Sequence, residues 1–405
     1  MATLRRAFVR LRTDAAVGVD GVTKEQYGQN LEDNLQDLHR RLKEGRYRHQ
    51  PIRRVNIPKD DGKLRPLGIS TTEDKIVQGA LTEVLQTVFE PLFLDGSYGC
   101  RPKRRAHDAM RALDRAATRG EVNWVYEADI RAYFDHLNRQ TVLDIIRGRV
   151  PDGSLLRLVG KCLHVGVLDG EEFSTPEVGT PQGSILSPLL GNIYLHVVLD
   201  AWFAQEVQPR LKGKALLVRY CDDFVIGFEY QEDAERVAAV MPKRMERFGL
   251  TLHPEKTRLI RFERPPRTQT SGKGPGTFDF LGFTCYWKRT RNGRWQMALK
   301  TRQGRLRKAL KAIYEYCRDH RHSPVHDQHA SLVSRMQGHF NYYGVNGNLR
   351  CLMRVKFFAE RAWFRWLRRR GQKHPLTWER FNDLMKTLPL PMPRIKVQIW
   401  SGLRP

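Results

Sequence analysis

The sequence is short of acidic residues, of paired cysteines and of long apolar runs, and each shortage closes off a class of protein. Only 44 Asp and Glu stand against 70 Lys and Arg in 405 residues, a formal net charge of +26. A chain so cationic calls for a polyanionic partner, and nucleic acid fits better than a membrane surface. No apolar run reaches the roughly 18 residues of a membrane-spanning helix, so no membrane partner is expected. The start, Met1-Ala2-Thr3-Leu4-Arg5-Arg6, is not followed by an apolar core and cleavage site, which leaves secretion unsupported. Asp14 and Asp20 come too early for an organellar transit peptide, so a cytoplasmic setting (bacterial cytosol or nucleoid) is expected. The six cysteines, at 100, 162, 221, 285, 317 and 351, form no C-x-x-C pair. Their spacing points to neither a zinc site nor a disulfide framework, and a reducing compartment fits. No internal repeat is present.

What the chain does have is length for two or three domains and clear periodicity. Leu31, Leu35, Leu38 and Leu42 predict a helix from about Gln26 to Tyr47. Residues 55–69 read as strand, Asp-Gly turn and strand, with Lys59, Lys63 and Arg65 projecting. Ile76, Val77, Ala80, Leu81, Val84, Leu85, Val88 and Phe89 trace one stripe of a helix that Pro91 closes. Asn123–Ile130 reads as a strand and a helical segment is expected after Asp135. A loop at 179–184 leads into a helix from about Ile185 to Phe203. Glu232–Phe248 reads as a helix, and 250–262 as a turn and a strand. The Pro-, Gly-, Ser- and Thr-rich stretch 265–276 marks a boundary or loop. Past residue 300 the chain turns helical and strongly basic.

The most informative stretch is Tyr220-Cys221-Asp222-Asp223, flanked by the apolar runs 215–219 and 224–228. It reads as a β-hairpin with both aspartates at its tip. Taken alone, this is an ordinary solvated turn. Adjacent carboxylates repel, however, and a hard divalent cation with oxygen ligands compensates them well. Asp129 ends a predicted strand; alone it reads as a helix cap. Joined to the hairpin it would complete a carboxylate set for two metal ions, a clamp suited to phosphoryl transfer.

Asp129 with Phe134, then Pro181-Gln182-Gly183, then Tyr220-Cys221-Asp222-Asp223 occur in the order of a reverse transcriptase palm. Gly18-Val19-Asp20-Gly21, Ile57-Pro58-Lys59 with Arg65-Pro66-Leu67-Gly68-Ile69, and Ser97-Tyr98-Gly99-Cys100-Arg101-Pro102 resemble one branch, the group II intron-encoded reverse transcriptases and their free-standing relatives. So do residues 179–188, Leu252-His253-Pro254-Glu255-Lys256-Thr257 and Phe280-Leu281-Gly282-Phe283. The resemblance runs from about Gly18 to Ile395. Two departures stand out: that family usually has Ala where this chain has Cys221, and the region before Gly18 looks shorter than in intron-encoded members.

The resemblance implies an α+β right-hand polymerase, with fingers, a ferredoxin-like palm carrying an antiparallel sheet, and an α-helical thumb or maturase region. The expected divisions are 1–50 (N-terminal extension and start of the fingers), 51–285 (fingers and palm), 286–372 (thumb) and 373–405 (closing segment). It implies an RNA-directed DNA polymerase that extends a primer 3′-OH with deoxynucleoside triphosphates. The cofactor would be two Mg²⁺ ions, with Mn²⁺ as a substitute, held by Asp129, Asp222, Asp223 and the carbonyl of Ile130. Lys59, Lys63 and Arg65 would grip the triphosphate. Phe134 would lie under the sugar and collide with a 2′-OH, although composition reads it equally as core. Gln182 would touch the nucleotide near its sugar, and Tyr220 would line the floor by the primer terminus.

Partners would be an RNA template, a DNA or RNA primer, and a structured intron or other non-coding RNA. Arg101, Lys103, Arg104 and Arg105 are expected on nucleic-acid backbone, with Arg305, Lys308, Arg368, Arg369 and Arg370. The aromatics interleaved with the C-terminal cations read chiefly as helical core. The alternatives are a maturase that stabilises an intron RNA, or a domesticated relative serving DNA repair or phage defence. The chain is expected to leave no room for an appended His/Asn endonuclease.

Overall fold

Strand β1 (Ile52–Pro58) pairs antiparallel with β2 (Leu64–Ile69), Arg53 opposite Ile69 and Pro58 opposite Leu64, as the Asp-Gly signal between them predicts. The structure is a computed structural model and describes residues 1–58, 64–169, 172–174, 179–180, 183–266, 268–269, 274–290, 292–371 and 376–400. Lys59, Lys63 and Gln182 lie outside the described residues, and the side chain of Arg65 is likewise not described. The other strands are β3 (Trp124–Asp129), β4 (Val167–Asp169), β5 (Glu172–Ser174), β6 (Ala215–Tyr220), β7 (Asp223–Phe228), β8 (Arg258–Arg261), β9 (Phe278–Phe280), β10 (Phe283–Arg289) and β11 (Trp295–Thr301).

Three sheets result, in the orders β2-β1-β4-β5, β6-β7-β3-β8 and β11-β10-β9. All pairings are antiparallel except β1 with β4. The middle sheet is the one that positions the site. Its alternation puts Tyr126, Ala128, Phe224, Ile226 and Phe228 into a large core shared with the helices Thr72–Phe89 and Ser187–Leu195. Val125, Val218 and Val225 point the other way, into a second core with Phe278, Phe283 and Trp287 of the third sheet. The period of two thereby gives both faces apolar partners.

The C-terminal helices Gln303–Asp319, Val325–Tyr343, Leu349–Arg368 and Trp378–Thr387 share a third core. Phe340, Trp363 and Phe364 are buried there, as the core reading predicts; Phe357 remains exposed.

Several boundaries differ from expectation. The N-terminal helix is two, Lys24–Gln29 and Leu31–Lys43, because the Asn30 backbone leaves helical geometry at φ −121° and ψ 46°. One helical turn, Tyr133–His136, forms before the expected start at Asp135. The helix after Ser187 stays regular only to Leu195 and then widens into a π-type segment, His196–Ala201, which carries Asp200 inward.

Candidate active site

Asp129 ends β3 and Asp223 begins β7, and the antiparallel register sets them directly opposite each other. Opposed residues share a face, so both carboxylates project on the side of Val125 and Val225, away from the larger core. Asp222 sits in the two-residue turn that joins Tyr220 to Asp223. Cys221, the first turn residue, has φ +57°, which matches a II′-type hairpin turn and is a place glycine would normally take. Asp129 and the distant adjacent pair Asp222-Asp223 are therefore brought to one sheet end.

Like charges opposed across a ladder are unfavourable and favour a protonated Asp223. Local desolvation, then the charges of Asp222 and Asp129, push its carboxyl up to about 7, against the pull of Lys256 and Arg305. Asp223 itself keeps access to solvent, so the like charges are the more durable of these causes. Asp129 is ion-paired with the Lys256 ammonium. Two residues back on the same face, Glu127 pairs with Arg258 at 2.8 Å. Lys256 is held near by a backbone rung in which the His253 N–H donates to the Asp129 carbonyl at 2.8 Å. Among the described residues no ready-closed cluster of three metal-ligating side chains exists. The donor set nevertheless suits a hard divalent cation: oxygen ligands only, crowded enough to hold a proton near neutrality, with an ammonium standing where positive charge is wanted.

Beneath the hairpin lies a fully buried cation. Arg219 donates to both Asp200 oxygens at 2.8 and 2.6 Å, to Asn192 Oδ1 at 2.8 Å, to Ser97 Oγ at 2.7 Å and to the Cys221 carbonyl at 2.9 Å. Its backbone is also engaged: Arg219 N–H donates to Gly96, and Tyr98 N–H donates to the Arg219 carbonyl. Gly99 follows so closely that a Cβ there would stand 2.2 Å from the Cys221 nitrogen. Arg219 carried no assignment from sequence. A charge at an inward position of an otherwise apolar strand is the signal that would have found it. Lys256 likewise stood only as part of a motif.

Ile130 is buried and bridged to Leu252. Phe134 lies half-buried against Tyr133, ring centroids 5.1 Å apart. The loop before residue 183 closes on it: Thr180 N–H donates to the Phe134 carbonyl at 2.7 Å. Beyond the loop, Gly183 at φ +108° packs on the Gly68 carbonyl. Gln78 then ties Ser184, Ile185 and Ser70 together. The strand bearing Arg65 is thus joined to the segment following Gln182. Tyr220 is half-buried beside the second core.

The expected nucleic-acid contacts divide. Lys103 and Arg105 are exposed, while Arg104 pairs with Asp95 at 2.7 Å. Arg101 departs from expectation. Its guanidinium is buried, donates to the Leu94 and Ser97 carbonyls at 2.8 Å and pairs with Glu90 at 2.8 Å, because the loop folds back over it. Arg305 and Lys308 lie exposed on the helix Gln303–Asp319, and Arg305 is close enough to act on Asp223. Arg368 and Arg369 are exposed; Arg370 instead donates to the carbonyls of Arg321 and Ser323, tying the end of the helix Leu349–Arg368 to the turn after Asp319.

The sequence profile of the family described as reverse transcriptase (RNA-dependent DNA polymerase) matches residues 57–285. The group II intron-encoded protein LtrA of Lactococcus lactis subsp. cremoris is 27% identical, over 94% of this chain and 74% of that protein. Protein YkfC of Escherichia coli (strain K12) is 33% identical over 72% of this chain and 81% of that protein. Nuclear intron maturase 4, mitochondrial, of Arabidopsis thaliana is 31% identical over 30% of this chain and 15% of that protein.

Proposed function

The chain belongs to the reverse transcriptase family, with group II intron-encoded proteins among its relatives, and from that premise we propose how it works as an RNA-directed DNA polymerase. Asp129, Asp222 and Asp223, with the Ile130 carbonyl, hold two divalent cations, Mg²⁺ or Mn²⁺. Bound there, such ions supply Lewis-acid stabilisation of charge on the attacking and leaving oxygens of a phosphoryl transfer. The observation that carries the assignment is the register that opposes Asp129 to Asp223 at the end bearing Asp222.

The residues of the chain do the positioning. Lys59, Lys63 and Arg65 bind the triphosphate as cations suited to its oxygens. Phe134 shapes the sugar pocket against a 2′-OH, and Gln182 contacts the nucleotide near its sugar. Tyr220 supports the primer terminus, whose 3′-OH attacks the α-phosphate as pyrophosphate departs. Lys256, ion-paired with Asp129, keeps that carboxylate in place. In this reading residues 51–285 form the fingers and palm, preceded by 1–50, with a helical thumb over 286–372 and a closing segment over 373–405.

Primer extension on an RNA template with Mg²⁺ tests this. Wild-type protein should extend, and Asp222→Ala should lose extension while keeping its fold by circular dichroism; undiminished extension by that variant refutes the site.

A related maturase role is supported by the exposed cations of the C-terminal helices, Arg305, Lys308, Arg368 and Arg369. Intron RNA binding that survives loss of Asp222 and Asp223 but falls when these cations are removed would establish it.

A further inference from the structure

Cys100 and Cys221 are 121 residues apart in sequence, and their sulfurs lie 2.8 Å apart beside the acidic tip. Neither residue belongs to the proposed chemistry. Both take a left-handed backbone, φ +55° and +57°, which a non-glycine residue adopts at a cost. The two backbones that carry them are both pinned, through one network centred on Arg219 and Asn192. Asn192 donates to the Gly99 carbonyl at 2.7 Å, the Arg101 fork holds the far side of the loop, and Arg219 holds the Cys221 carbonyl. The sulfurs are therefore kept in contact by structure on both sides. Cys100 is exposed and Cys221 is half-buried behind it. That is the arrangement of a cysteine that meets an oxidant and a neighbour that resolves it.

We propose that a hydroperoxide converts Cys100 and Cys221 into a disulfide that slows polymerisation, a reversible modification site built onto the catalytic hairpin. The Cys100 sulfur attacks the terminal peroxide oxygen. The O–O bond breaks, and the leaving alkoxide or hydroxide takes the thiol proton to depart as alcohol or water. The Cys221 sulfur then attacks the resulting sulfenic acid, the S–O bond breaks and water leaves. Two thiols and one hydroperoxide give one disulfide, one alcohol (or water) and one water, with two electrons passing from sulfur to oxygen. The link adds a covalent tie one residue before Asp222, so the turn loses the freedom to adjust as a primer terminus seats against it. A dithiol reductant reverses the step by exchange. The linkage stands apart from the polymerase reading; its effect on extension rests on that reading.

The test treats full-length protein with hydrogen peroxide and follows both peptide mass and extension. Non-reducing digestion should yield one cross-linked species joining the Cys100 and Cys221 peptides, lighter than their sum by two hydrogens. It should be absent from Cys100→Ser and vanish with dithiothreitol. Extension by wild type should fall several-fold on treatment and recover with dithiothreitol, while Cys100→Ser keeps the same rate with and without peroxide. The buried Cys162, Cys285 and Cys317 serve as internal controls that stay unlinked. Cys100 and Cys221 that both remain alkylatable after treatment overturn the linkage. Complete linkage with unchanged extension, or equal loss in Cys100→Ser, overturns the switch. A reduced wild type that does not extend at all condemns the polymerase reading instead, whatever the digest contains.

Discussion

Arg219→Leu is the most demanding perturbation of this fold. The guanidinium is fully buried and donates to Asp200, Asn192, Ser97 and the Cys221 carbonyl. Leucine fills part of the volume but leaves Asp200 as an uncompensated buried carboxylate, together with three orphaned oxygens. Breaking a buried pair from one side costs about 3–5 kcal/mol. That is a large share of the roughly 5–15 kcal/mol by which a domain is stable. With a urea slope of about 3 kcal/mol/M, the unfolding midpoint should fall by about 1–1.7 M.

Arg219→Lys keeps the charge but cannot reproduce the planar fork, so it should fall between the two. Removing the partner as well, in Arg219→Leu with Asp200→Leu, should restore part of the loss, because an apolar pair leaves no stranded charge. Extension measured well below the unfolding transition separates positioning from stability. If Arg219 fixes the turn through the Cys221 carbonyl, Arg219→Lys should lose extension out of proportion to its stability, with the deficit in kcat. A single Leu variant within about 0.5 kcal/mol of wild type, or no coupling in the double variant, refutes the reasoning.

Three further outcomes are open to measurement. Gly99→Ala places a Cβ 2.2 Å from the Cys221 nitrogen, a clash with backbone that no rotamer relieves, and should destabilise by about 1–3 kcal/mol in a denaturant titration. Burial pushes the His339 imidazole down to about 4, so between pH 6.5 and 4 the unfolded chain binds a proton the folded one refuses; its contribution is present above about pH 6.5 and lost as pH falls, up to about 3 kcal/mol, and His339→Phe should flatten that part of a stability–pH curve. Asp223 has the opposite sign: raised to about 7, it holds a proton in the fold that the unfolded chain gives up, so its contribution declines as pH rises from about 4 to 7. Asp223→Asn should accordingly raise apo stability at pH 8, by no more than about 1 kcal/mol given its solvent access, while abolishing extension.

The hairpins were legible because their signals are local. An Asp-Gly pair in the sequence between β1 and β2, and apolar runs on either side of residues 220–223, specify strands within a dozen residues. The helix from Thr72 was legible for the same reason, since a stripe at helical spacing needs no distant partner. Boundaries failed where one residue's backbone leaves the helix, as at Asn30, or where a helix changes its winding and carries a buried group inward, as at Asp200. Arg101 and Arg370 were misread because a cation in a basic chain looks like a surface cation. Only the fold tells a guanidinium that caps carbonyls from one that faces solvent.

The deepest part of the site was the least legible. Residues 219 and 221 lie in one strand and its turn, yet their partners come from the loop at 97–101 and from the segment 192–200. Arg219 draws on both, and Cys100 and Gly99 press on the turn from one side only. Nothing in spacing relates these segments, because each meets the hairpin through a different kind of interaction: a charge fork, a backbone rung, a glycine contact and a sulfur pair. The acidic trio alone would be a repulsive cluster at a sheet end. It is held there because the chain beneath it is over-determined, and that is why damage to the chemistry is expected not only from the aspartates but also from one layer below them, at the buried Arg219 and Gly99.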